Sequence, residues 1–264
     1  MTNIHHVAAE GFALGAASYA AGRPDYPPEI EDWLTRDLGL TSGKTALDLA
    51  AGTGKFSPRL LATGARVIAV EPVREMLNQL IHQFPQIDAR TGSAQHIPLD
   101  DASVDAVVCA QAFHWFSTPE ALREIHRVLK PGGAFGLVWN VRDDDVPWVA
   151  ELTRIMKPFE GDAPRYHSQK WRTVFPAEGF SPLREKRFSH RHTGPPEKVI
   201  VERILSVSFM AALPPDRQEQ VKSQLRQVIA SFPELAGKSE VTFPYETLAY
   251  VCTKLPYTSP TEML

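Results

Sequence analysis

Between about residues 29 and 140, short apolar runs alternate with stretches whose apolar residues recur every three or four positions. The runs predict strands at 45–50, 67–70, 87–91, 104–110 and 134–139. Val104-Asp105-Ala106-Val107-Val108-Cys109-Ala110 and Phe135-Gly136-Leu137-Val138-Trp139 are almost continuously apolar. Such runs suit strands covered on both faces, as in a parallel sheet. Between them, 119–130 places Leu122, Ile125, Val128 and Leu129 on one helical face. Thr118 stands where it caps that helix, and Pro119 fits the first turn. Lys130-Pro131-Gly132-Gly133 then stops the helix and turns the chain into the next strand. The alternation predicts a doubly wound α/β sheet.

After Asn140 the rhythm changes. The pattern predicts a helix at 147–157 and an irregular stretch holding Trp171 and Phe175. A polar strand follows at 183–193, then an apolar helical segment at 199–209, an amphipathic helix at 216–229 and a closing strand at 241–252. This divides the chain into a lead segment and first helix (1–40), an α/β core (41–142), an insertion with one sheet strand (143–240), and a closing strand with its tail (241–264).

A chain of 264 residues, 43% hydrophobic, is long enough for one large domain or a domain with an insertion. A net charge of −3 provides no overall basic field for nucleic acid or acidic membrane. Cys109 and Cys252 lie in apolar runs and read as buried thiols of a reducing compartment. The N-terminus lacks the basic-then-apolar order of a secretory signal, and no segment has the length of an uncharged membrane span, so a cytoplasmic location is expected. His5-His6 and His190-Arg191-His192 have no matching Cys or carboxylate frame, so no metal is expected. The run Arg184-Glu185-Lys186-Arg187 is broken by an acid and reads as a solvated face.

The candidate chemistry centres on Asp48-Leu49-Ala50-Ala51-Gly52-Thr53-Gly54, where the first strand runs into a turn of small residues. A dinucleotide turn carries a third glycine, and here Gly52-Thr53-Gly54 is followed by Lys55-Phe56-Ser57. A P-loop needs Ser or Thr after Gly-Lys, and Phe56 stands there instead. Small residues still let the backbone approach a ligand closely. Glu71, ending the second strand, is suited to accept hydrogen bonds from both ribose hydroxyls and would repel a 2′-phosphate. These features point to a nucleoside cofactor over the carboxyl ends of the strands.

In blocks 46–56, 67–76, 92–98, 105–116 and 128–139 the chain resembles the class I S-adenosylmethionine-dependent methyltransferases. The resemblance is to the methyltransferase type 11 group, which includes ubiquinone/menaquinone-biosynthesis and trans-aconitate methyltransferases. His114-Trp115-Phe116 and the lead segments Ala16-Ala17-Ser18-Tyr19 and Gly22-Arg23-Pro24-Asp25-Tyr26-Pro27 match a subgroup of it. The resemblance implies a Rossmann-like, mostly parallel seven-stranded sheet with an antiparallel last strand and a helical cap. It also implies S-adenosylmethionine as cofactor and a small molecule as methyl acceptor. Ala50 departs from the family, many members of which have glycine there. Pro58 is a second oddity; Ser57 is expected as helix cap with Pro58 in the first turn.

By resemblance, Ala50, Gly52 and Thr53 line the methionine part of the cofactor and Glu71 holds the ribose. Pro72 and Met76 flank ribose and adenine, Ser93 and Ala94 meet the adenine edge, and Ala110 and Gln111 lie beneath the methionine. Tyr19, Arg23 and Tyr26 belong to a lid, with Arg23 facing either the cofactor carboxylate or an acidic substrate and Tyr26 facing the substrate. Trp115 is expected as a substrate-pocket wall, and His114 as the residue that orients substrate or takes a proton. From the insertion, Phe209 supplies apolar surface and Ser206 a polar handle. No strong base constellation appears, which suits an acceptor that is already anionic. Two other readings stay open at this point: a cofactor-binding relative that transfers nothing, and an oxidoreductase using a nicotinamide dinucleotide.

Overall fold

The structure is a computed structural model and describes residues 23–162 and 164–256. After α1 (Ile30–Arg36), strand and helix alternate through β1 (Thr45–Leu49), α2 (Ser57–Ala62), β2 (Arg66–Glu71), α3 (Arg74–Gln83), β3 (Asp88–Thr91), β4 (Val104–Ala110), α4 (Pro119–Val128) and β5 (Leu129–Arg142). Then come α5 (Pro147–Met156), β6 (Arg184–Gly194), α6 (Arg203–Leu205), α7 (Ser208–Ala211), α8 (Pro215–Ser231) and β7 (Val241–Thr253).

The seven strands form one sheet in the order β3-β2-β1-β4-β5-β7-β6. The first five are parallel; β7 runs antiparallel to β5, and β6 antiparallel to β7. The strand order reverses between β1 and β4, and in open sheets of this kind the crevice for a ligand lies outside the carboxyl ends at that point.

Both faces of the sheet are covered, as the apolar runs of β4 and β5 require. Trp33 and Leu34 of α1 pack with Ala46, Val108 and Val138 on one face. Ile125 of α4 packs with Val107, Phe135 and Leu137 on the other. A third cluster joins Trp148 and Leu152 of α5, Val221 and Leu225 of α8, and Phe243 of β7, giving the inserted helices their own core. Among the described residues no helix is long and apolar enough to cross a membrane.

The expected elements are present, with instructive differences. Thr118 Oγ1 accepts a hydrogen bond from the Ala121 amide at 3.3 Å, capping α4. Strand β5 begins at Leu129, opposite Val104, yet Ala134 is already opposite Ala106, so the Lys130–Gly133 turn is a bulge within the strand. The single helix expected at 199–209 is a π-helical turn, Glu197–Glu202, followed by the short α6 and α7. Ser57 is not the cap of α2: Phe56 holds that position, and Ser57 Oγ donates to Asp48 Oδ2 at 2.7 Å. A carboxylate buried in β1 requires a donor, and the serine is used for that.

Candidate active site

The crevice is built where β1, β2 and β4 end. Ala50, directly after β1, has φ +57°, and Gln111, directly after β4, has φ +62°. Both are non-glycine residues in the left-handed region, which is costly and concentrates at functional sites. The fold holds them there through backbone bonds to neighbouring strands: Ala51 N–H to Val70 O at 3.2 Å and Gln111 N–H to Val138 O at 2.8 Å. Gly52 also has positive φ, and a Cβ added to it would lie 3.7 Å from Met76 Cε. The missing side chain leaves the turn open toward the cavity.

Glu71 closes the turn from the side. Its Oε2 accepts from the Gly52 amide at 2.9 Å and its Oε1 from the Val73 amide at 2.9 Å. A carboxylate oxygen has two lone-pair sites, so each retains one for a ligand hydroxyl. Burial pushes its pKa up to about 7 against the pull of those two amides. Burial likewise raises Asp48 to about 6 against its bond from Ser57.

Of the residues assigned to the cofactor, Arg23, Ala50, Gly52, Thr53, Glu71, Pro72, Met76, Ser93, Ala94, Ala110 and Gln111 all line this one cavity. Tyr26 and Trp115 line it as well. Tyr19 lies outside the described residues. Val73, Gln95 and Arg203 also contribute to the wall without having been singled out, as do Asp48 and Phe116, which the sequence marked only as parts of their motifs. Val73 and Gln95 sit beside marked positions, where adjacency was the available signal.

Beyond Gln111 and Trp115 a second cavity continues over the end of β5, and Arg23 and Arg203 line both spaces. His114 stands here, half-buried. Trp139 Nε1–H donates to its Nδ1 at 3.1 Å. Burial pushes its pKa down to about 3, with Arg165, Arg23 and His167 adding repulsion. The ring is therefore neutral near pH 7 and carries its proton on Nε2. With the Nδ1 lone pair already used, it offers a donor rather than a base.

Ser206 and Phe209 do not line either cavity. The Ser206 hydroxyl donates to Arg203 O at 2.7 Å, while its carbonyl accepts from Arg23 Nη2 at 3.2 Å. Phe209 is buried beneath the Arg165 guanidinium, 4.8 Å from ring centroid to Cζ. Both residues support arginines instead of presenting themselves. Arg142 and Arg165, unmarked in the sequence, come to the second cavity from the end of β5 and from the loop after α5.

Five parallel strands joined by helices, closed by an antiparallel β7, with an acid from β2 held on the turn after β1, define the class I methyltransferase architecture. The comparisons with known proteins agree. A model described as a methyltransferase domain matches residues 47–137. The methyltransferase-like protein C25B8.10 of Schizosaccharomyces pombe is 42% identical over 246 residues, covering 93% of this chain and 96% of its own. The methyltransferase Rv3342 of Mycobacterium tuberculosis is 39% identical over 243 residues, covering 92% and 94%. The chain belongs to the methyltransferase family, as an enzyme of class I, whose members use S-adenosylmethionine. Among solved structures, the YcgJ protein from Bacillus subtilis shares the fold with a TM-score of 0.56, at 19% identity over 86% of this chain and 98% of that one.

Proposed function

We propose that this enzyme binds S-adenosylmethionine in the crevice over β1, β2 and β4 and transfers its methyl group to a small-molecule nucleophile in the adjoining cavity. The observation that carries the reading is Glu71, fixed by the Gly52 and Val73 amides with lone pairs left for two hydroxyls of a ribose. The fit extends along the cavity. Met76, Val73 and Ala94 offer apolar surface for a flat base, and the turn around Gly52 leaves room for an amino-acid portion.

The cofactor supplies a methyl group already activated by a sulfonium. The protein's residues have to seat the acceptor in line with the methyl–sulfur bond and keep water out. Such positioning can contribute roughly 7–11 kcal/mol of the barrier. Trp115, shared by both cavities, walls the passage between them. His114, neutral and bonded from Trp139, donates from Nε2 and orients the acceptor. An acceptor that arrives anionic needs no base from the chain, and the residues would have only to hold it against the activated methyl group.

Calorimetric titration with S-adenosylmethionine and S-adenosylhomocysteine tests the reading. Saturable binding is expected, and none up to millimolar concentration overturns it. Glu71→Ala is expected to weaken binding by about tenfold or more, the scale of hydrogen bonds to a charged group. An unchanged affinity would remove Glu71 from the ribose.

A further inference from the structure

We infer that the second cavity seats the methyl acceptor and is built for a small molecule carrying at least two oxyanionic groups, carboxylate or phosphate. This deepens the methyl-transfer reading and rests on it.

Arg142, Arg165 and Arg203 line this cavity, as does Arg23, while no Asp or Glu does so among the described residues. Two of these guanidiniums are deeply buried: the residues are 9% exposed for Arg142 and 5% for Arg203. Their protein partners are few. Among the described residues, Nε and Nη1 of Arg203 and Nε of Arg142 have no hydrogen-bond partner, and Nη1 of Arg142 meets the Met156 thioether at 3.3 Å. Arg165 has one acid, Glu160, at 3.7 Å. Burial, with Arg142, Arg23 and Arg203 nearby, holds Arg165 down at about 10.

An uncompensated buried cation is expensive, and native proteins keep such groups where a ligand supplies the opposite charge. The cofactor does not supply enough. It carries one carboxylate against an ammonium and a sulfonium, so loading it adds positive charge beside the arginines. With Glu160 beside Arg165, and Asp144 acting on Arg142 only from outside the cavity, the forks of Arg142 and Arg203 remain for the acceptor. Guanidinium forks match planar carboxylates and phosphates in bidentate fashion. The three arginines converge from different parts of the chain: the end of β5, the loop after α5, and α6. A merely structural cation would be paired within its own neighbourhood. Here Phe209 lies beneath the Arg165 guanidinium and holds that fork in place.

The test is calorimetric titration of the whole protein, ligand-free and loaded with S-adenosylhomocysteine. The probes are tricarballylate, glutarate, the neutral diamide of glutarate, and glycerol bisphosphate. The di- and trianions are expected to bind at least about tenfold more tightly than the neutral diamide. Comparing the carboxylates with the bisphosphate decides which oxyanion the site prefers. Arg142→Met and Arg165→Gln are each expected to weaken the preferred acid by about tenfold or more, with the S-adenosylhomocysteine affinity within about twofold of wild type. Arg142→Met without ligand is expected to be at least as heat-stable as wild type, because it removes repulsion. Arg165, with its side chain 19% exposed, keeps the test open should the Arg142 variant fail to fold.

The inference fails if the diamide binds as tightly as the acids, if no probe binds, or if both variants leave acid affinity unchanged. If S-adenosylhomocysteine does not bind but the acids do, the cofactor reading falls and the arginine seat stands.

Discussion

Asp48 and Glu71 are carboxyl groups in surroundings that favour their neutral forms. Their native pKa values, raised by burial to about 6 and about 7, lie above the ordinary values of 3.8 and 4.5. The folded protein thus retains protons that the unfolded chain releases. The resulting stabilisation is complete below about pH 4 and is lost as pH rises through about 7. At 1.36 kcal/mol per pKa unit, Glu71 accounts for about 3 kcal/mol at most. Scanning calorimetry of the ligand-free protein is expected to show this as a fall in the thermal midpoint contributed between pH 4.5 and 7.5. Glu71→Gln, locked in a neutral form, is expected to reduce the fall; an identical profile in the variant would contradict the assignment.

At the scale of elements, the turn from β1 to α2 combines a strained alanine with a glycine that cannot be replaced cheaply. An L-residue in the left-handed region costs roughly 1–2 kcal/mol, and glycine in its place loses about 0.4–1 kcal/mol through the freer unfolded chain. Ala50→Gly is therefore expected to stabilise by about 0.5–1 kcal/mol, read as a shift of the urea midpoint without change of slope. A loss of stability would show that the Ala50 methyl packs usefully in the cavity wall.

The strands around this turn were legible because a parallel sheet buried on both faces leaves continuous apolar runs, as at Val104–Ala110. Helix α4 was legible from its cap and one apolar face. The grouping of the crevice residues in one cavity followed from the resemblance, with Glu71 and the glycine turn legible from residue chemistry. The arginine cavity was hidden for a physical reason. Arg142, Arg165 and Arg203 are single charges in three separate segments, and an isolated arginine looks the same in a sequence whether it ends in solvent or in a cavity. The faint signal was Arg142, a charge closing a long apolar strand. Ser206 and Phe209 follow Arg203 in the chain but line neither cavity.

For the molecule as a whole, the position of β7 decides when the parts come together. It lies between β5 and β6, with Ala134 opposite Thr253 and Arg184 opposite Val251. Among the described residues β6 pairs with no other strand of the sheet. Closing Ala134 onto Thr253 spans far more chain than closing Thr45 onto Arg66, so joining β7 to β5 costs more loop entropy than pairing β1 with β2. Pulse-labelled hydrogen exchange during refolding is expected to protect amides of β1 and β2 before those of β7. Simultaneous protection would show a single concerted step. The floor of the arginine cavity is the outer end of β5, where Arg142 faces Tyr245 of β7. On that order the crevice proposed to hold the methyl source forms first, and a folding chain would acquire its grip on the methyl group before the arginine cavity proposed to choose what is methylated.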